Sequence, residues 1–282
     1  MAKFSIVIMS AVLLISGFRI DGSNAAEAGA ALRLYVFDCG MIRLDTIENF
    51  SISDDETDVR DLIVPCYVVE HDEGRLLWDG GLPSSVADAE GWQGEGMLSK
   101  LDKRFAEQLS DIGLDMDSFD YVAFSHMHFD HVGVANEVEG ATLIIQKPEY
   151  EAAFNNGPGV EAFDTALFEN LKGAERTIID GDHDIFGDGR VRIISAPGHT
   201  PGHQVLWIDL PNTGPVVLSG DLYHFAITRQ ERRVPDFNFN RELTLSSMDR
   251  VEALIKETGA TLWIEHELAL FETLDKAPAY YD

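Results

Sequence analysis

Positive charge is scarce in this chain of 282 residues. Lys and Arg number 21 against 49 Asp and Glu, so the formal net charge at pH 7 is −28. Proteins that bind nucleic acid place Lys and Arg against the phosphates, and a negative field of this size repels polyanions. The composition therefore argues against a nucleic-acid partner, and it also disfavours a strongly anionic small substrate.

Cysteine is scarce as well, since the chain contains only Cys39 and Cys66. Two cysteines are too few to define a disulfide framework, and a domain of this size does not need a bridge for its stability. We therefore expect two buried free thiols. A disulfide between them is the alternative, which an oxidising compartment would permit.

Long hydrophobic runs are absent except near the N-terminus, where Lys3 precedes an apolar run over 4–15. Small residues with A-x-A-like cleavage options follow over 23–29, and this order is typical of a secretory signal peptide. A membrane span needs about 20 apolar residues, so an uncleaved anchor is the weaker alternative. The sequence predicts a signal peptide over 1–28 and a mature domain over 29–282 in the periplasm or outside the cell, with no membrane span after cleavage.

Apolar runs bounded by turn residues predict strands along the mature chain, at 32–37, 62–69, 75–79, 142–146, 191–195, 204–209, 216–219 and 261–264. Helical spacing predicts one helix from Leu98 to Ile112, ended by Gly113, and another around 245–254, ended near Gly259. This order favours an α/β fold with two mixed sheets packed face to face and helices outside. A functional site is then expected at the edge where loops from the strand ends meet.

A histidine cluster follows the apolar run 121–124, with the sequence Ser-His-Met-His-Phe-Asp-His over 125–131. A regular strand cannot aim three imidazoles and a carboxylate at one tetrahedral ion. A loop at a strand end, however, can aim two histidines one way and the Asp-His pair the other. Further ligand types follow at His199, Asp221 and His266. The combination predicts a site for two metal ions.

These residues, in this order, resemble those of the metallo-β-lactamase superfamily, whose fold is an αββα sandwich, and the resemblance spans essentially the whole predicted mature domain. The stretches 37–40, 65–67, 77–82, 199–204 and 245–248 are similar to those of the N-acyl-homoserine lactone lactonases. The resemblance implies two zinc ions, with zinc as the default metal. It places His126, His128 and His199 on one ion, Asp130, His131 and His266 on the other, and Asp221 as a bridge between them.

The same resemblance implies a quorum-quenching lactonase that acts on a small neutral lactone with an apolar acyl tail. Two metals about 3.5 to 4 Å apart can share a hydroxide and lower its pKa, so that it attacks the lactone carbonyl. We expect Asp130 also to shuttle a proton to the departing ring alkoxide. A homodimer is expected from the family alone.

One departure from the lactonase pattern concerns the residue three positions after the bridging Asp221. The lactonases often carry a tyrosine there, whereas this chain has His224, preceded by Tyr223. We expect His224 to line the site as a hydrogen-bond donor or general acid. Tyr223 is a further catalytic candidate, with packing as its alternative, because adjacent residues of an extended segment face opposite ways.

Several other residues carry supporting expectations. Asp79 is expected to orient a ligand histidine through a hydrogen bond, and His203 to be structural. His71 and His183, each beside acidic turn residues, are expected to be exposed to solvent. A groove for an acyl tail could be walled by apolar residues of 41–50 and by three phenylalanines, unless these only pin loops to the core; the three are Phe225, Phe237 and Phe239.

Other functions remain open at this stage. A secreted phosphotriesterase or aryl-ester hydrolase of the same fold is the leading alternative, because it too takes a neutral apolar substrate. A thioesterase of the glyoxalase II type would need basic residues for an anionic glutathione conjugate. A β-lactamase is disfavoured, because that branch typically lacks an acid ligand at the Asp221 position. A non-catalytic lactone-binding protein would be expected to lose metal ligands.

Overall fold

The computed structural model describes Met1 and residues 31–282. The predicted signal peptide, apart from Met1, lies outside the described residues. The strands of the described part are β1 (Leu32–Leu44), β2 (Asp61–His71), β3 (Gly74–Trp78), β4 (Gln93–Glu95), β5 (Met97–Lys100), β6 (Tyr121–Ala123), β7 (Thr142–Gln146), β8 (Arg176–Ile179), β9 (His183–Asp184), β10 (Val191–Ser195), β11 (Gln204–Leu210), β12 (Gly214–Leu218) and β13 (Thr261–Trp263).

The helices are α1 (Phe105–Ser110), α2 (Lys147–Asn155), α3 (Ala226–Glu231), α4 (Arg241–Thr258) and α5 (Leu268–Phe271). Short 3₁₀ segments cover Glu48–Phe50, Ser84–Asp88, Ala135–Glu137, Val160–Ala162, Thr165–Gly173 and Gly220–Leu222. Among the described helices, none combines the length and the apolar character needed to cross a bilayer.

The strands form two mixed sheets, as the sequence predicted. One sheet has the order β4-β5-β1-β2-β3-β6-β7-β8 and the other the order β13-β12-β11-β10-β9. Large apolar side chains such as Trp78, Leu206 and Trp263 fill the space between them. Helix α2 packs on the outer side of the first sheet and α4 on that of the second, so the αββα sandwich is confirmed.

Helix α4 agrees with the predicted helix around 245–254. Asn240 caps its start by accepting a hydrogen bond from the Leu243 amide, and Gly259 ends it in the left-handed conformation with φ 71°. Met248 and Val251 lie buried against the second sheet. Local capping and spacing signals therefore sufficed for this helix.

The predicted helix from Leu98 to Ile112 is wrong in its first part. Leu98 belongs to β5, which pairs antiparallel with β1 and places Leu98 opposite Arg43. Helix α1 begins only at Phe105 and ends at Ser110. Pairing with a distant strand overrode the local spacing, which is a common outcome for short apolar patterns.

Parallel pairing brings functional loops to one edge of the sandwich. In the first sheet β3 and β6 are parallel, and in the second β12 and β13 are parallel. The loops that leave these strands carry Asp79, the cluster at 125–131, Asp221 and His266. The β10–β11 hairpin turns at the same edge, because β11 runs antiparallel to β12, and it adds His199.

The expectation of free thiols is wrong. Cys39 and Cys66 form a disulfide with a Cα–Cα distance of 5.7 Å. The two residues lie on the paired strands β1 and β2, beside an irregularity in register between Asp38 and Met41. Strand register, which spacing along the chain did not reveal, brought the two sulfurs together.

The expectation of an exposed His71 is also wrong. Its side chain is buried, stacks on Phe186 with ring centroids 4.3 Å apart, and places Nε2 3.0 Å from an oxygen of Asp188. The acidic neighbours that suggested exposure are Asp72 and Glu73, which form the turn of the β2–β3 hairpin. His183 is partly exposed.

Reduction of the disulfide is expected to lower the free energy of unfolding by about 3 kcal/mol. The bridge joins residues 27 positions apart, and it removes loop-closure entropy from the unfolded chain. Urea unfolding of the wild-type protein with and without a phosphine reductant measures the effect. The Cys39→Ala/Cys66→Ala variant is the control, because the reductant should not move its midpoint; an unchanged wild-type midpoint would contradict the prediction.

Candidate metal centre

The structure brings all seven predicted metal ligands together at this edge of the sandwich. They come from four separate loops, and all are buried except His128, which is partly exposed. They divide into two groups of converging donor atoms: His126, His128 and His199 with Asp221, and Asp130, His131 and His266.

The first group is a cluster of three imidazole nitrogens. His126 Nε2 lies 2.8 Å from His128 Nδ1, and His199 Nε2 lies 3.1 Å and 3.0 Å from these two atoms. An oxygen of Asp221, Oδ2, lies 3.1 Å from His199 Nε2. Three nitrogens and one oxygen therefore face a common point, which is the donor set of a four-coordinate site.

The second group faces the other oxygen of the same carboxylate. Asp221 Oδ1 lies 2.9 Å from His266 Nε2 and 3.3 Å from His131 Nε2. The Asp130 carboxylate lies 3.7 Å from His266 Nε2 and 3.8 Å from His131 Nε2. Asp221 thus presents one oxygen to each group, as a bridging ligand would.

Hydrogen bonds on the far side of the rings set their tautomers. His199 Nδ1 lies 2.9 Å from the Asn238 amide oxygen, and His266 Nδ1 lies 2.7 Å from the Ile63 carbonyl oxygen. His131 Nδ1 lies 3.1 Å from the Ser125 hydroxyl, and it makes an ion-pair contact with Asp79 Oδ2 at 3.2 Å. The oxygens of Asn238 and Ile63 require a proton on Nδ1 of His199 and of His266, so each of these two rings, when neutral, directs the lone pair of Nε2 at the carboxylate of Asp221.

Lone pairs that face carboxylate oxygens repel each other unless a cation lies between them. His131 Nε2 and Asp221 Oδ1 are buried, and in the described part of the chain neither has a hydrogen-bond partner. Buried polar atoms without partners are costly. Imidazole and carboxylate are also the ligands that zinc and similar divalent ions prefer. The residues present therefore fit two metal ions.

The pKa values of these histidines, taken without metal, differ between the two groups. Burial lowers the pKa of His126 and of His128 well below the usual range. Burial is the largest single influence on His266 and acts to lower its pKa, but the carboxylates of Asp221 and Asp130 together outweigh it and raise that pKa to about 9. The pKa of His131 is raised well above its usual range for the same reason. The second group therefore holds protons that a metal ion must displace.

Backbone contacts hold Asp221 in place. Its amide donates to His203 Nε2 at 2.9 Å, and His203 Nδ1 donates to the Ala196 carbonyl at 3.0 Å. His203 thus has the structural role expected of it. Gly220 adopts φ 45°, and a Cβ there would lie 2.5 Å from the Ser125 side chain. Glycine is therefore needed for the loop of Asp221 to approach the histidine cluster.

His224 and Tyr223 point to opposite sides. His224 is buried in the site, with Nε2 2.9 Å from Asp221 Oδ2. The Tyr223 hydroxyl instead donates to Glu252 at 3.1 Å, and its ring packs among apolar residues beneath α4. The catalytic interpretation of Tyr223 is corrected accordingly to the packing role that was its alternative.

A cavity of about 670 Å³ opens onto the two groups. His128, Asp130, Asp221, His224 and His266 form its polar end. Its apolar lining is Ile42, Leu44, Phe50, Leu62, Met97, Phe129, Ala162 and Phe237, and Asp45, Thr46, Asn49 and Gly96 complete the wall. Within the described structure no Lys or Arg lines this cavity.

The expected apolar groove is present, but only part of the expected wall forms it. Phe237 lines the cavity, whereas Phe225 is buried behind Phe50, with ring centroids 5.3 Å apart. Phe239 borders a separate cavity of about 150 Å³. Sequence reasoning missed Met97 and Asn238 as site residues, because neither has a local motif. Met97 reaches the cavity through the pairing of β5 with β1, and Asn238 reaches His199 from a loop.

Comparison with known proteins gives the family and the relatives. Residues 59–258 match the sequence model of the Metallo-beta-lactamase superfamily. The N-acyl homoserine lactonase AttM of Azorhizobium caulinodans is 30% identical over 264 residues, which cover 89% of this chain and 99% of that protein. The N-acyl homoserine lactonase AiiA of Bacillus thuringiensis subsp. kurstaki is 31% identical over 258 residues, which cover 88% and 98%.

The fold is likewise similar to that of solved structures. One is an N-acyl homoserine lactone hydrolase with the product N-hexanoyl-L-homoserine bound at its catalytic metal center. It aligns with a TM-score of 0.75 and 30% identity, and the alignment covers 88% of this chain and 98% of that one.

Metal binding is expected to release more protons at about pH 7 than at about pH 10. Below its pKa of about 9 the metal-free His266 carries a proton that the metal must displace, and above that pKa the proton is already gone. Calorimetric titration with Zn²⁺ in two buffers of different ionisation enthalpy counts the released protons. Equal release at both pH values would contradict the prediction.

Proposed function

Since the chain belongs to the metallo-beta-lactamase superfamily, we propose that it is a hydrolase that opens the lactone ring of N-acyl homoserine lactones. The observation that carries the proposal is the cavity, which joins a two-metal ligand set to an apolar lining without cationic side chains in the described residues. Lactonases are also the relatives that match nearly the whole chain.

The lining suits a neutral substrate with an apolar tail. Phe50 and Phe237 pack edge to face, with centroids 5.1 Å apart, and present apolar surface next to His224. Each methylene of an acyl chain buried there contributes about 0.8 kcal/mol to binding. An anionic thioester would find no Lys or Arg along the lining of the cavity in the described structure, which argues against a glyoxalase II-type activity.

We assign His126, His128 and His199 to one zinc ion and Asp130, His131 and His266 to the other, with Asp221 shared between them. When bound, the two ions would polarise the substrate carbonyl and activate water as the nucleophile. The complete ligand set argues against a non-catalytic lactone-binding protein.

The side chains at the polar end of the cavity supply proton transfer and orientation. Asp130 faces the cavity from the second ligand group. Its carboxylate takes the proton of the attacking water and returns it to the ring oxygen as the carbon–oxygen bond breaks. We assign the proton of His224 to Nε2, which lies 2.9 Å from Asp221 Oδ2. From that position the N–H can also donate to the substrate carbonyl.

We also propose that the protein is exported to the periplasm or beyond. The Cys39–Cys66 disulfide supports an oxidising compartment, and residues 1–28 have the pattern of a secretory signal peptide. Self-association as a homodimer stays a prediction from the family.

The purified mature protein is expected to open short-chain and long-chain N-acyl homoserine lactones, releasing one proton per ring because the product acid ionises. His128→Ala should lower kcat/KM about a thousand-fold, or about 4 kcal/mol of barrier, because it removes a metal ligand. His183→Ala, a partly exposed histidine outside both ligand groups, is the matched control and should retain activity.

Paraoxon and a thioester serve as rival substrates in the same assay. Turnover of paraoxon with no lactone opening would overturn the proposal in favour of a phosphotriesterase on the same centre. Equal lactone opening by wild type and His128→Ala would show that the reaction does not use this site.

His224→Phe is expected to lower kcat about a hundred-fold while the metal content stays the same, because an aromatic ring of somewhat larger size remains and the N–H is lost. The adjacent Tyr223→Phe variant is the control, since its hydroxyl faces Glu252 rather than the cavity. Metal analysis and steady-state kinetics on both variants measure the effect. Full activity of His224→Phe would remove His224 from the mechanism.

A further inference from the structure

A buried carboxylate lies behind the metal centre and belongs to neither ligand group. Glu149, in the first turn of α2, is only 2% exposed. Its Oε1 accepts a hydrogen bond from the Met127 amide at 2.9 Å, and its Oε2 accepts one from the Gly202 amide at 2.8 Å. One side chain thus joins two loops that are far apart in sequence.

The two amides lie beside metal ligands. Met127 stands between His126 and His128, and Gly202 follows His199 by three residues. These three histidines form the first ligand group, in which the donor nitrogens lie 2.8 to 3.1 Å apart. Glu149 therefore holds the two loops that must stay in register for the three nitrogens to converge.

The base of this arrangement is tightly packed. A Cβ on Gly202 would lie 2.5 Å from the Glu149 amide nitrogen and 2.6 Å from the Glu149 Cβ, so the loop of His199 rests directly on α2. Gln146, the residue before α2, is held in turn, because its amide both donates to and accepts from the backbone of Gly181 at 2.8 Å and 3.1 Å. The carboxylate is thus presented from a fixed position.

The second ligand group has different supports. His131 is held by Asp79, and His266 by the Ile63 carbonyl. The Glu149 carboxylate instead binds the Met127 amide, which lies between His126 and His128, and the Gly202 amide in the loop of His199. Asp130 and His131 follow on the Met127 loop, but in the described structure the Glu149 carboxylate binds no amide next to them. Removal of this carboxylate should therefore disturb the two halves of the centre unequally.

We propose that Glu149 is a positioning residue for the three-histidine half of the centre, acting through the Met127 and Gly202 amides. The proposal rests on the metal assignment made under the proposed function. Groups that orient metal ligands typically contribute 10- to 100-fold to metal affinity. Hydrogen bonds to a charged acceptor are also stronger than neutral ones.

The test is metal binding to metal-free Glu149→Gln, measured by competition with a chelator for Zn²⁺ and by the absorption spectrum of bound Co²⁺. The variant keeps the side-chain size, but replaces one acceptor oxygen with an NH₂ group that faces an N–H. One of the two metal equivalents should weaken about 10- to 100-fold while the other stays within about three-fold. The Co²⁺ spectrum of the equivalent that remains tight should match that of His128→Ala, which lacks a ligand of the same half.

Glu151→Gln is the matched control, because Glu151 lies on the exposed side of α2 and contacts Asn155; both of its equivalents should bind as in wild type. Unchanged binding in Glu149→Gln, or an equal loss of both equivalents, would overturn the proposal. Circular dichroism of the metal-free variant checks the fold. If that variant does not fold, Glu149→Asp, which keeps the charge on a shorter side chain, is measured in the same way, with the same outcomes for and against.

The metal-binding measurements use no lactone, so they test the role of Glu149 separately from the proposed activity. If the wild-type protein binds two metal equivalents but opens no lactone, the proposed reaction is wrong. The metal affinities of Glu149→Gln still decide whether Glu149 is a positioning residue.

Discussion

The rest of the site depends on the buried carboxylate of Asp221. Its two oxygens lie in a pocket of imidazoles, 3.1 Å from His199 Nε2 on one side and 2.9 Å from His266 Nε2 on the other. A carboxylate removed from water needs positive charge nearby. Protonated histidines meet that need in the metal-free state, and two cations would meet it in the loaded state. The raised pKa of His266 follows from this constraint.

The sandwich architecture makes such a concentration of polar groups tolerable. Parallel pairing of β3 with β6 and of β12 with β13 sends four chain segments out at one edge. The apolar side chains of the same strands fill the space between the sheets. Side chains outside both ligand groups contact the ligand histidines or the backbone beside them. They include Asp79, Asn238 and Glu149. The centre is thus held by several independent elements of the fold.

Shape and charge act together in substrate choice. The lining of the cavity is mostly apolar, and no Lys or Arg contributes to it in the described structure, in a chain with a net charge of −28. Neutral substrates with an apolar tail match both properties, because burial of the tail is favourable and no anion must approach a strongly negative chain. His224 lies where the apolar lining meets the metal ligands, which makes it the side chain best placed to link tail binding to chemistry.

The sequence alone determined the ligand types, their order along the chain and the local elements that precede them. The strand at 142–146 and the helix ended by Gly259 agree with the structure because their signals are local. Tertiary structure decided what depends on contacts between distant residues. The Cys39–Cys66 bridge and the pairing of Leu98 opposite Arg43 both follow from strand register. The opposite directions of Tyr223 and His224, and the two amides gathered by Glu149, exist only where separate elements pack together. No spacing along the chain encodes such distances, because they arise when the sheets close on each other.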